Sequence, residues 1–178
     1  MISEEAQWRR ARFCSRCGAA LAERFASGRV RPACPACGFV VYVDPKVACG
    51  VLLGHGGQVL LVRRRNQPGR GLWCLPCGYA DADEPPELAA RRETLEEAGI
   101  EVTIGGLLGM YHYTDDPRGA GLLLVFHARC DDLGPLAPGD DADDVRFFAA
   151  DALPPISHHT HRRALEDWMK DEGCKDEG

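Results

Sequence analysis

No stretch of this 178-residue sequence approaches the roughly 20 consecutive apolar residues of a membrane-spanning helix, which argues against a membrane-spanning protein. The opening segment carries Glu4 and Glu5 where a secretory leader would place basic residues, and no apolar stretch follows them. A basic excess is missing as well: Lys and Arg number 21 against 27 Asp and Glu, a formal net charge of −6. Coating nucleic acid requires a positive field that displaces counterions from phosphate, so that is not the chain's expected main work. A soluble, cytoplasmic protein is the expectation. Cysteine, by contrast, is plentiful at nine residues, and in a reducing compartment so many thiols direct attention to metal ligands. With 45% hydrophobic and 27% charged residues, the chain has the composition for one ordinary core with a small appendage.

Four of the cysteines form two pairs, Cys14-Ser-Arg-Cys17 and Cys34-Pro-Ala-Cys37, separated by 16 residues. Each pair is followed by a glycine, Gly18 or Gly38, able to take the positive φ that turns backbone amides toward thiolates. Two such knuckles offer four sulfur ligands, the set preferred by structural Zn²⁺. With no open position left for a substrate, this metal is expected to fold its segment rather than to catalyse.

Downstream, Lys46–Gly54 and Gln58–Arg65 are apolar runs joined by His55-Gly56-Gly57, a hairpin pattern. Leu72–Leu75 reads as a short strand ending at Pro76. Prolines and acids at Asp83–Pro86, with Gly99 beyond, bound a helix over 86–98. Further strands are expected near 101–113, 121–130 and 145–149, and a closing helix over 158–170. The expected domains are an N-terminal extension (1–10), a zinc ribbon (11–44), a main domain (45–170) and a flexible tail (171–178).

On a helical wheel, Glu93, Glu96 and Glu97 share one arc, while Leu88, Leu95 and Ala98 lie on another side that can face the core. Like charges crowded on one face repel, and hard oxygen ligands at that density suit Mg²⁺ or Mn²⁺. A solvated acidic face is the alternative.

A wider spacing decides between them: Gly78, five residues, Glu84, seven residues, then Arg92-Glu93-Thr94-Leu95-Glu96-Glu97-Ala98-Gly99-Ile100. This resembles the signature of the Nudix hydrolase family. Thr94, where the family prefers a bulky aliphatic, and Cys77, where many members have glycine, depart from it. Gly71–Pro76, Val145–Phe148 and Asp151–Pro154 are similar to further family landmarks, and the cysteine pairs resemble the subgroup with an N-terminal zinc ribbon, which includes NADH, FAD and ADP-ribose pyrophosphatases.

The resemblance implies an α/β fold, an α/β/α sandwich around a mixed sheet with a small ribbon. It also implies divalent-metal-dependent hydrolysis of a nucleoside diphosphate linked to another moiety, releasing a nucleoside monophosphate. Glu93, Glu96 and Glu97 would hold Mg²⁺ or Mn²⁺, and Glu84 would pair with Arg92 to pin the loop that begins at Gly78. A carboxylate must also orient or deprotonate water; Asp141, in the run Asp140-Asp141-Ala142-Asp143-Asp144, is the favoured candidate beside Glu93, Glu96 and Glu97. Arg64 is implied as a contact to substrate phosphate, or else belongs to a solvated strand end.

Tyr111 and Tyr113 share a strand face and either stack on a base or flavin ring or pack in the core. The segment Tyr111–Pro117 lacks the Ser-Gln-Pro-Trp-Pro-Phe-like stretch of NADH pyrophosphatases, which favours ADP-ribose or FAD. NADH or nucleotide-capped RNA remains the alternative substrate, and a catalytically silent nucleotide sensor or a nucleic-acid-binding ribbon the alternative function. The resemblance leaves a homodimer open. Cys74 and Cys77 are expected to pair incidentally, Cys49 and Cys130 to be inert core residues, and His158, His159 and His161 to be exposed at a helix start.

Overall fold

The computed structural model describes residues 11–173. The expected extension at 1–10 and positions 174–178 lie outside the described residues. The chain divides into two compact units, residues up to Lys46 together with Thr114–Ala120, and Val47–Tyr113 together with Gly121 onward.

In the first unit the two cysteine knuckles repeat each other. Gly18 N donates to Cys14 O and Gly38 N to Cys34 O, each at 2.9 Å. Both glycines have positive φ, 74° and 76°, where a β-carbon would be strained. Between the knuckles lies an antiparallel hairpin of β1 (Ala22–Ala26) and β2 (Arg29–Ala33). Thr114–Ala120 also belongs to this unit.

The second unit is built on a seven-stranded mixed sheet. Its strands are β3 (Lys46–His55), β4 (Gln58–Arg64), β5 (Trp73–Cys74), β6 (Cys77–Tyr79), β7 (Thr103–Tyr113), β8 (Gly121–Arg129) and β9 (Ala142–Ala149). The order is β5-β4-β3-β8-β7, with β6 added to β3 and β9 to β4. Alternation divides the apolar side chains between two faces. Val51, Leu53, Leu60, Val62 and Phe126 pack with Ala89, Ala90 and Ala98 of helix α1 (Pro86–Ala98). Leu52, Val59, Leu61, Leu123 and Val125 pack with Ala164, Leu165 and Trp168 of helix α2 (His159–Gly173). A helix on each side of one sheet is the expected sandwich. α2 runs to Gly173, past the start of the expected tail at 171.

Helix α1 starts where two prolines allow it. Pro85 is extended, and Pro86 occupies the first turn, where its missing N–H has no intrahelical partner to lose. Gly99 stops it in the left-handed region, donating to Leu95 O. Its inward face differs from the expected one. Leu88 and Leu95 are 52% and 44% exposed, while Ala89, Ala90, Glu93, Thr94, Glu97 and Ala98 are buried. Small alanines let the helix lie close to the sheet, and the Thr94 hydroxyl satisfies itself on Ala90 O at 2.7 Å. The inward stripe therefore carries two carboxylates rather than two leucines.

Candidate active site

Glu93 and Glu97 lie one turn apart on that inward face, with relative exposures of 9% and 5%. Strand β6 meets them. The Cys77 amide donates to Glu97 Oε2 at 2.9 Å, and the Glu93 carboxylate sits over the α-carbon of Gly78, in the space a β-carbon there would need. Burial pushes the Glu97 carboxyl up to about 8, with repulsion from Glu93 and Asp141 adding to it and the Cys77 N–H opposing. Burial also raises Glu93, against the pull of Arg92. Two desolvated carboxylates that resist ionisation together form an oxygen donor set whose charge a hard cation would neutralise, so the residues fit Mg²⁺ or Mn²⁺. Glu96 is exposed at the edge of this pair, where it shares Arg92 Nη1 with Glu93 and its charge further opposes ionisation of Glu93.

Arg92 organises the surroundings. Its guanidinium meets Glu84 Oε1 at 2.6 Å, Glu93 Oε1 at 2.7 Å and Glu96 Oε2 at 2.9 Å, and donates to Tyr79 O at 3.1 Å. Glu84 in turn accepts from the Asp81 amide, and the Arg92 hydrogen bond holds its carboxyl below the usual range. The planar fork joins loop, strand and helix in a way a point charge could not.

The aspartate run is sorted by its partners. Asp143 takes Arg63 Nε at 2.6 Å, and Asp144 takes Arg146 at 2.7 Å. Asp141 is instead held toward the strand end: its carboxylate accepts from Asn66 Nδ2 at 2.8 Å and its carbonyl from the Arg65 amide at 2.7 Å. Arg64 donates through Nε to Pro68 O at 2.8 Å, and its charge acts on Glu97. The structure thus brings Glu93, Glu97, Arg64 and Asp141 into one electrostatic neighbourhood. Tyr111 lies elsewhere: it is 2% exposed in the layer beneath α2, and its hydroxyl donates to Asp167 at 3.1 Å. Tyr113 is half-buried at the end of β7.

Sequence reasoning missed Asn66 and the Cys77 amide, because neither a loop asparagine nor a backbone N–H carries a spacing signal. His161 is a correction: expected at the surface, it is 4% exposed, with Nε2 at 3.8 Å from Cys77 Sγ and no partner on Nδ1. His158 and His159 are half-buried. Cys49 and Cys74 are core residues, and Cys130 is half-buried, bonding Glu101 O and Asp132 O.

In the first unit the ligand atoms of Cys14, Cys17, Cys34 and Cys37 all lie within 4.8 Å of one another. Sγ separations of 3.6 Å (Cys14 to Cys37) and 3.5 Å (Cys17 to Cys34) approach the roughly 3.8 Å edge of a tetrahedron with Zn–S bonds of about 2.3 Å. The four thiols fit a closed structural zinc site.

Family models match in the same two parts. Residues 44–169 match the NUDIX domain and residues 12–43 the Nudix N-terminal zinc-ribbon model. The chain belongs to the Nudix hydrolase family. An ADP-ribose pyrophosphatase of Methanocaldococcus jannaschii is 34% identical over 131 residues, covering 73% of this chain and 76% of the relative. The NAD-capped RNA hydrolase NudC of Pseudomonas aeruginosa is 33% identical over 147 residues, covering 82% of this chain. This chain spans only 50% of that relative's length. Among solved structures, a NUDIX hydrolase from Nitrosomonas europaea superposes with a TM-score of 0.81 at 33% identity, covering 90% of this chain and 92% of that one. No helix among the described residues is long and apolar enough to cross a membrane.

Proposed function

We propose that this Nudix hydrolase cleaves the diphosphate of a nucleoside diphosphate joined to a second moiety, with ADP-ribose or FAD as substrate and a nucleoside monophosphate as one product. The observation that carries the reading is the buried pair Glu93 and Glu97 facing Gly78. A divalent cation, Mg²⁺ or Mn²⁺, held by these two carboxylates with Glu96 at their margin, would neutralise charge on the diphosphate. The chain's own groups supply the rest. Arg92 and the Cys77 amide hold the carboxylates in place, Arg64 contacts phosphate, and Asp141, steadied by Asn66, accepts a proton from the attacking water.

The name of the Methanocaldococcus relative supports ADP-ribose, and the absence of the NADH-type segment after Tyr111 supports ADP-ribose or FAD over NADH. The test is kcat/KM for ADP-ribose, FAD, NADH and NAD-capped RNA with Mg²⁺ and with Mn²⁺. ADP-ribose or FAD is expected to exceed NADH. A strong NADH preference would overturn the substrate assignment, and no turnover of any diphosphate would overturn the catalytic one. Shortening 116–120 is expected to change the substrate ranking more than the metal requirement.

A further inference from the structure

His161 is a buried polar group to which the chemistry above gives no task. It is 4% exposed; among the described residues its Nδ1 has no hydrogen-bond partner, while Nε2 lies 3.8 Å from Cys77 Sγ. Burial keeps the ring uncharged at neutral pH, so one ring nitrogen carries a hydrogen and the other a lone pair. The contact with Cys77 is then N–H to sulfur or S–H to nitrogen. A polar ring buried half-paired costs stability that an apolar side chain of similar volume would not. Packing alone does not account for a histidine at this position.

The strand in front of it does. Cys77 of β6 pairs with Gly50 of β3, and alternation sets both on the α2 face of the sheet, opposite Gly78 and Glu93. A β-carbon on Gly50 would come within 2.6 Å of both Cys77 Cβ and Pro76 O. The bare glycine lets Cys77 lie close against β3 with its thiol turned toward α2. The approach to α2 is tied to the neighbouring strand, Ser157 N donating to Trp73 O at 2.8 Å and Trp73 N to Pro155 O at 3.0 Å. Cys77 therefore meets both helical layers. Its amide donates to Glu97 Oε2 on α1 at 2.9 Å, and its side chain meets His161 on α2. Amide and thiol hang from one α-carbon, so a thiol that shifts takes the N–H with it.

We propose that His161 is a positioning residue: from the far face of the sheet it fixes the Cys77 side chain and so holds the Cys77 amide on Glu97. Its bearing on the cation site rests on Glu97 being a ligand there; its hold on the amide does not.

The test follows the full chain by two readouts, amide exchange of the metal-free protein by NMR and the Mn²⁺ dissociation constant by electron paramagnetic resonance. In His161→Leu, exchange at position 77 should quicken roughly tenfold or more while Leu60 and Val62 of β4 keep their rates, a local loosening that general destabilisation would not give. Mn²⁺ affinity should fall about tenfold, the low end for a ligand that loses its supporting partner. His161→Gln, which keeps a polar group toward the thiol, should restore most of both. Cys77→Ala should reproduce His161→Leu, and the double variant should lose little more, as for two residues acting through one contact. If His161→Leu does not fold, Cys77→Ala carries the same comparison. Unchanged exchange at position 77, equal quickening at Leu60 and Val62, or fully additive losses in the double variant overturn the proposal. Mn²⁺ binding that Glu97→Gln leaves intact refutes the metal-site reading instead, and the exchange at position 77 still decides the positioning role.

Discussion

The carboxylate of Glu93 occupies the place where any side chain on Gly78 would begin. Strand and helix approach so closely here that the smallest addition must move one of them. Gly78→Ala is therefore expected to displace Glu93 and lower kcat about 100-fold, the scale at which an ångström of misplacement acts. The thermal midpoint should fall much less. Wild-type kcat in Gly78→Ala would show that Glu93 does no positional work.

The acidic residues should separate by depth. Glu97→Gln is expected to lower kcat by about 1000-fold or more, because it removes a buried charge from the cation's donor set. Glu96→Gln, at an exposed position, should cost far less. Asp141→Asn tests the proton-acceptor assignment through the pH profile of kcat/KM, whose acid limb should change. Glu84→Gln should act mainly through loop order and stability, read as a lowered thermal midpoint with kcat changed little. Small, equal effects throughout would refute the metal-site reading.

Converging thiols make a folding prediction. Elemental analysis should find about one tightly held zinc per chain, and Cys34→Ser should lose it, because metal binding and folding of such a segment are one process. Chelation should unfold the ribbon while the cores against α1 and α2 keep their cooperative transition. A ribbon that stays folded without metal, judged by amide exchange, would contradict this.

Buried His161 makes stability depend on pH. Burial, reinforced by the charges of His158 and Arg64, lowers its folded-state value to about 3 from an ordinary 6.5. Between those values the unfolded chain binds a proton that the folded chain refuses, so stability is full above about 6.5 and is lost as pH falls through this window. Urea midpoints measured from pH 7 to pH 4 should fall less steeply in His161→Gln than in the wild type. Parallel curves would place the acid sensitivity elsewhere.

Local spacing was legible because it needs no knowledge of the fold. The CxxC pairs with their glycines, and the helix bounded by Pro86 and Gly99, are read from neighbours a few residues apart. The opposite faces of β3 and β4 follow from alternation for the same reason. Which face of α1 turned inward was not legible, since wheel geometry ranks Leu88 and Leu95 above Glu93 and Glu97, and only contact with Gly78 and the Cys77 amide reverses the order. Tyr111 and His161 teach the same lesson. Their side chains suggest ligand chemistry, but Tyr111 is buried against α2 and His161 is buried beside Cys77. Sequence alone determined which groups the chain carries and at what local spacing; the tertiary structure decided which of them are desolvated together, because burial depends on surfaces contributed by residues far away in the chain.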